Sequence, residues 1–154
     1  MIKLNKKTEY ALIALIRLAA KPAGRVSAKD LAREFNIPGD LMAKVLQELH
    51  AGGLIQSTQG PHGGYAISCA PEKVRLHALI ELLEGSLSLI ECEHDQPSSS
   101  GCEQQEHCNI RAPLHAINAQ IRSLLDSYTL QDLMTARIPS PTVPLAAISV
   151  RAHA

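Results

Sequence analysis

Aromatic side chains are scarce in this 154-residue chain, which has three Tyr, one Phe and no Trp. Its core must therefore be built mainly from Leu, Ile, Val and Ala, and a hydrophobic content of 45% is enough for one compact domain, or one domain with an appended helix. Net charge is also missing, since fifteen Lys and Arg face fifteen Asp and Glu. The longest apolar run, residues 10–16, is far shorter than the roughly 20 residues that a membrane-spanning helix needs. Residues 2–8 carry lysines, but the apolar run after them is helical in pattern and lacks a small-residue cleavage site, unlike a secretory signal. The expected compartment is the cytoplasm, where clustered cysteines act as metal ligands or reactive thiols more often than as structural disulfides. There are no internal repeats and no linker long enough to introduce a second domain. No glycine-rich phosphate loop follows a strand, and no Cys, His and acid set sits on rigid elements, so an enzyme is not expected.

The zero net charge conceals an asymmetry. Residues 1–75 hold eleven Lys and Arg against six Asp and Glu, whereas residues 76–154 hold four against nine. A basic first half suggests a polyanionic partner. Residues 10–20 predict a central buried helix with Thr8 as its N-cap and Glu9 in the first turn. Ser27 and Asp30 start a second helix running to about Phe35, with Leu31, Ala32 and Phe35 facing inward. Pro38 and Gly39 mark a tight turn, and a third helix over residues 40–50 places Leu41, Val45, Leu46 and Leu49 on one face. Residues 54–58 and 65–68 predict two short strands around a turn rich in Gly and Pro. Helix, helix, turn, helix and hairpin make up a winged helix-turn-helix, so the fold class is mainly α with a two-stranded wing. In such domains the helix after the turn enters the major groove. The residues expected at DNA are Asp40, Leu41, Met42 and Lys44 on that helix, Ser27 and Lys29 at the backbone, and Gln59, Gly60 and His62 at the wing tip.

Residues 74–84 predict a further helix. A long helix follows from Arg111 to Ala136, with Leu114, Ile117, Ile121, Leu124 and Tyr128 spaced three and four apart. That seam suits a helix pair across a two-fold axis, and palindromic operators reward a homodimer. The chain thus divides into a DNA-binding unit (1–90), a cysteine-rich loop (91–109), a dimerisation helix (110–137) and a proline-bearing tail (138–154).

The loop holds three of the four cysteines, Cys92, Cys102 and Cys108, among almost no apolar residues. Such a segment cannot bury a core of its own, so a metal, a disulfide or a partner surface must order it. Thiolates suit iron–sulfur clusters, zinc and copper(I), and the spacing alone leaves these open alongside a cluster-free thiol switch. His94 and His107 are further candidate ligands, although loop histidines are more often simply solvated. Cys69, at the end of the second strand, reads as a small buried hydrophobe.

Leu4, Lys7, Glu9, Tyr10 and Ala11, then Ile37-Pro38 with Leu41, Lys44, Leu46 and Leu49, then Gly53-Leu-Ile-x-Ser57-x-x-Gly60-Pro-x-Gly-Gly-Tyr65, form a set that resembles the IscR/NsrR type of bacterial transcription factor in the Rrf family. The resemblance spans about residues 1–136 and is most specific in the wing. It implies a homodimeric winged-helix regulator carrying an iron–sulfur cluster, of two-iron or four-iron type, on the three loop cysteines. Such regulators sense iron, cluster supply, oxygen, redox state or nitric oxide. It further implies a fourth ligand: in NsrR-like relatives a carboxylate in the first helix of the partner subunit, the position that Glu9 matches here. IscR uses a histidine after the last cysteine, but at that offset this chain has Arg111. Two other departures are a first cysteine gap of nine residues, where five is usual, and Gln59, where a basic residue is common.

Overall fold

A computed structural model describes residues 3–60, 63–89 and 107–137. Cys92, Cys102, His62, His94 and the tail lie outside those residues. Among the described residues, six α-helices and one antiparallel hairpin follow in the order α1 (Lys6–Ala19), α2 (Ala28–Glu34), α3 (Gly39–Ala51), β1 (Ile55–Thr58), β2 (Gly64–Ile67), α4 (Leu76–Glu84), α5 (Arg111–Asp126) and α6 (Leu130–Thr135). A single 3₁₀ turn, Pro71–Lys73, joins the hairpin to α4. This is the mainly α, winged-helix fold expected from the sequence.

The first helix starts earlier than its apolar pattern suggested. Asn5, not Thr8, is the N-cap: its side-chain oxygen accepts from the Thr8 N–H at 2.8 Å and the Thr8 hydroxyl at 3.2 Å. Thr8 is buried inside the first turn, where the cap satisfies it. At α2 the expected cap holds, with the Ser27 hydroxyl accepting from the Asp30 N–H at 3.1 Å and donating to the Asp30 carboxylate at 2.7 Å. Phe35 does not face inward as expected. It caps the helix end and remains exposed, while Ile37 takes the buried place.

The turn between α2 and α3 is a left-handed helix stop built on Asn36, at φ 52°. The Ile37 N–H reaches back to the Ala32 carbonyl at 2.9 Å, and the apolar Ile37 side chain closes the turn against the core. The same device ends α3, with Gly53 at φ 73° and the Leu54 N–H bonded to the Leu49 carbonyl at 3.0 Å. Chain direction into and out of α3 is thus fixed at both ends.

In the hairpin, Ile55 pairs with Ile67, Gln56 with Ala66, Ser57 with Tyr65 and Thr58 with Gly64. A third backbone segment joins it, because Val26 exchanges two hydrogen bonds with Tyr65 at 3.0 and 2.9 Å. Gly64 sits where this approach leaves no room for a side chain: a Cβ would stand 2.9 Å from the Val26 carbonyl oxygen, at φ 152°. One core unites Ala11, Leu15 and Leu18 of α1 with Leu31, Met42, Leu46, Leu49, Ile55, Leu79, Leu83 and Leu130.

The long C-terminal helix expected over residues 111–136 is two helices. Thr129 accepts from the Asp132 N–H at 3.2 Å, and the Asp132 carboxylate accepts from the Thr129 N–H at 2.8 Å, a capping box that starts α6 afresh. The break is secured by backbone bonds from Leu76 to the Tyr128 carbonyl and from Leu130 to the Val74 carbonyl, each 2.9 Å. Leu130 then enters the main core at 2% exposure, so α6 packs onto the winged-helix body.

Candidate DNA-binding surface and metal-ligand residues

Helix α3 sorts its side chains by depth. Met42, Val45, Leu46 and Leu49 lie in the core, whereas Asp40, Leu41, Lys44 and Gln47 are exposed along the opposite side. Two expectations change here. Leu41, expected to be partly core, is 45% exposed at the first turn, and Met42, expected at DNA, is 0% exposed. Met42 lies three, four and seven residues before Val45, Leu46 and Leu49, so it shares their inward face and cannot reach a groove.

Around that helix, Lys29 is exposed in the first turn of α2, while the Ser27 hydroxyl is engaged by the cap to Asp30. Gln59 and Gly60 are exposed at the wing, Gly60 at φ 113°. The Gly63 N–H bonds to the Gly60 carbonyl at 2.9 Å, and a Cβ on Gly63 would collide with the Thr58 carbonyl oxygen. The wing turn therefore requires glycine there. His50 Nε2 lies 2.9 Å from the Ser57 hydroxyl, tying the end of α3 to the wing strand.

Part of the basic excess of the first half is internally paired. Lys7 bonds Glu48 at 2.9 Å, Arg17 bonds Glu34 at 2.7 Å and Arg33 bonds Asp30 at 2.7 Å. Lys3, Lys21, Arg25, Lys29, Lys44, Lys73 and Arg75 are exposed cations outside those pairs.

Glu9 sits in the first turn of α1, with Lys6 Nζ at 2.5 Å. Hydrogen bonding and attraction to Glu9 raise the Lys6 pKa above its ordinary value. That pair is solvent-exposed and therefore weak, so a metal could displace Lys6 from the carboxylate at little cost. Cys108 is a free, half-buried thiol just before α5, with His107 exposed beside it. Among the described residues no group of three His, Cys, Asp or Glu converges on a metal position, and α5 packs on α4. Cys69 is a second free thiol, half-buried against the core. Its Sγ–H donates weakly to the Leu54 carbonyl at 3.8 Å, and burial pushes its pKa up against a smaller opposing effect of Lys73.

Sequence reasoning missed two side chains on α5. Asn118 is the buried residue of that helix and Arg122 lies one turn on; both bond to the backbone of residues 87–89. Their polarity marked them as solvent-facing in a helix read for its apolar seam. Outward on the same helix are Ile117, 45% exposed, and Leu124, 41% exposed.

The Rrf2 family, described as an iron-dependent transcriptional regulator, matches residues 4–136 of the chain. The transcriptional regulator NsrR of Halalkalibacterium halodurans is 34% identical over 136 residues, covering 87% of this chain and 91% of that protein. The regulator CymR of Bacillus subtilis is 29% identical over 133 residues, covering 86% and 89%. The solved structure of CymR, described as the global cysteine regulator of that organism, superposes with a TM-score of 0.69 at 28% identity, covering 88% of this chain and 98% of that one. The structure of T. potens IscR shares the fold, with a TM-score of 0.65 at 24% identity and 89% coverage of each chain.

Proposed function

The chain belongs to the Rrf2 family of transcriptional regulators, and from that premise we propose that it is a homodimer that binds a palindromic DNA operator and senses its signal through an iron–sulfur cluster on Cys92, Cys102 and Cys108. The observation that carries this reading is the placement of the three-cysteine segment between α4 and α5. It stands next to a helix whose outward apolar row, Ile117 and Leu124, suits a second copy of the chain. Asp40, Leu41 and Lys44 of α3 meet the major groove, Lys29 meets phosphate, and Gln59, Gly60 and His62 form the wing contact. Ser27, whose hydroxyl is engaged with Asp30, contributes by capping α2 more than by a direct phosphate contact.

The residues fit a cluster by donor chemistry. Three thiolates leave one position to a harder donor, and Glu9, paired with an exposed lysine, can provide it across the dimer. When bound, such a cluster supplies a centre sensitive to iron, redox state or nitric oxide. The protein's own part is to couple occupancy to DNA affinity, which shifts only by as much as the cluster favours one arrangement over the other.

A second reading has its own support. The likeness to CymR, described as a cysteine regulator, favours a cluster-free thiol or zinc sensor on the same DNA-binding frame. A visible spectrum of anaerobically purified protein, with iron and sulfide assays, separates the two. Visible absorption with stoichiometric iron and sulfide is expected, and Glu9→Ala should shorten the lifetime of the absorbing species. Protein that stays colourless after anaerobic reconstitution overturns the cluster reading in favour of the thiol or zinc one.

A further inference from the structure

The inward side of α5 holds residues 86–89, the stretch that leads out of α4 toward Cys92. That stretch has no helix or strand of its own, so its backbone polar groups must find partners elsewhere. Asn118, 0% exposed, provides them from both ends of its amide: Oδ1 accepts from the Leu89 N–H at 3.3 Å, and Nδ2 donates to the Leu87 carbonyl at 3.2 Å. One turn on, Arg122 donates to the same carbonyl through Nε and Nη2, both at 3.3 Å, and to the Ser86 hydroxyl at 3.1 Å. Three donors thus converge on one backbone oxygen.

A buried amide is costly unless it is hydrogen-bonded, and a leucine of similar size would fill the same space without that cost. What asparagine does that leucine cannot is grip an extended backbone, reading its alternating acceptor and donor at residues 87 and 89. Along the sequence, Leu89 lies three residues before Cys92 and Asn118 ten after Cys108. The grip therefore joins the two chain segments that flank the cysteine loop. The helix that supplies it also carries Ile117 and Leu124 on its outward side.

We propose that Asn118 and Arg122 are positioning residues that hold residues 86–89 onto α5, so that a change in the cysteine segment moves the outward row of that helix instead of being lost as slack between α4 and α5. The proposal rests on the sensor reading above.

The test compares full-length wild type with Asn118→Leu and Arg122→Met. Hydrogen exchange of the cluster-free protein should show the Leu89 amide exchanging about tenfold faster in Asn118→Leu, which removes its acceptor, the scale of one lost buried hydrogen bond. Operator affinity of the cluster-free variants should match wild type, while the ratio of affinities with and without cluster should fall toward one. A merely structural role would lower the melting temperature and leave that ratio as in wild type, which overturns the proposal. Unchanged exchange at Leu89 in a folded Asn118→Leu also overturns it. If Asn118→Leu does not fold, Arg122→Met, at a partly exposed position, decides alone. A wild type whose operator affinity ignores the cluster refutes the sensor reading and takes the proposal with it. A responsive wild type with equally responsive variants refutes the proposal only.

Discussion

At the scale of single residues, capping groups and exposed cations do separable work. The Thr129 hydroxyl and backbone N–H both donate to Asp132, at 2.7 and 2.8 Å, and hold its carboxyl below its ordinary pKa of 3.8, with burial opposing and Arg75 adding a smaller favourable effect. A carboxyl depressed by folding adds stability above 3.8 that is lost as pH falls through the lower folded value. Asp132→Asn should therefore flatten the acid limb of the stability curve below pH 3.8 and cost more at neutral pH than at acid pH, as chemical denaturation at a series of pH values would read. Lys44 belongs to a different kind of site. It is exposed on the side of α3 proposed to face the groove, and Lys44→Ala should weaken operator binding and reduce the salt slope by about one unit if it neutralises one phosphate. An unchanged slope in a fluorescence-anisotropy salt series would remove Lys44 from the phosphate contacts.

At the scale of elements, what could be read in advance depended on whether the signal was local. The α2–turn–α3 unit was legible because Ser27 and Asp30 form a local cap and because a left-handed Asn36 with a buried Ile37 closes the turn within a few residues. The wing was legible for the same reason, its glycines being demanded by the turn itself. The bridge from Val26 to Tyr65 was not, since it joins residues thirty-nine apart that share no sequence pattern. The break between α5 and α6 carried a local signal, Thr129 three residues before Asp132, but the apolar seam running through it outweighed that signal in the sequence reading. The role of Met42 failed because Met42, Val45, Leu46 and Leu49 fall at i, i+3, i+4 and i+7, the spacing of a buried helix face, whereas Leu41 lies off that stripe. Asn118 and Arg122 were invisible because a polar helix residue reads as solvent-facing until its long-range partner is known. The α6 assignment has a direct consequence. Leu130 is 2% exposed in the main core, so Leu130→Ala should cost about 2–5 kcal/mol, the range for a truncated core leucine. Its melting transition should fall as a single step for the whole winged-helix unit. A separate transition confined to the C-terminal helices would contradict that assignment.

At the scale of the whole molecule, the described residues form one winged-helix body whose exposed cations include Lys29 on α2, Lys44 on α3 and Lys21 and Arg25 between α1 and α2, and whose apolar row lies on α5. No helix among them is long and apolar enough to cross a membrane. The family's members are transcriptional regulators and not enzymes. A regulator of this design needs its two surfaces linked, and the chain offers α5 as the link, gripping residues 86–89 on one side and presenting Ile117 and Leu124 on the other. The most direct test is operator binding by one anaerobic preparation, measured by anisotropy at fixed salt before and after removal of its iron with a chelator. The account predicts a change in affinity of about tenfold or more, within the usual range of allosteric coupling, restored when the cluster is rebuilt. Equal affinity in the loaded and stripped forms would contradict it.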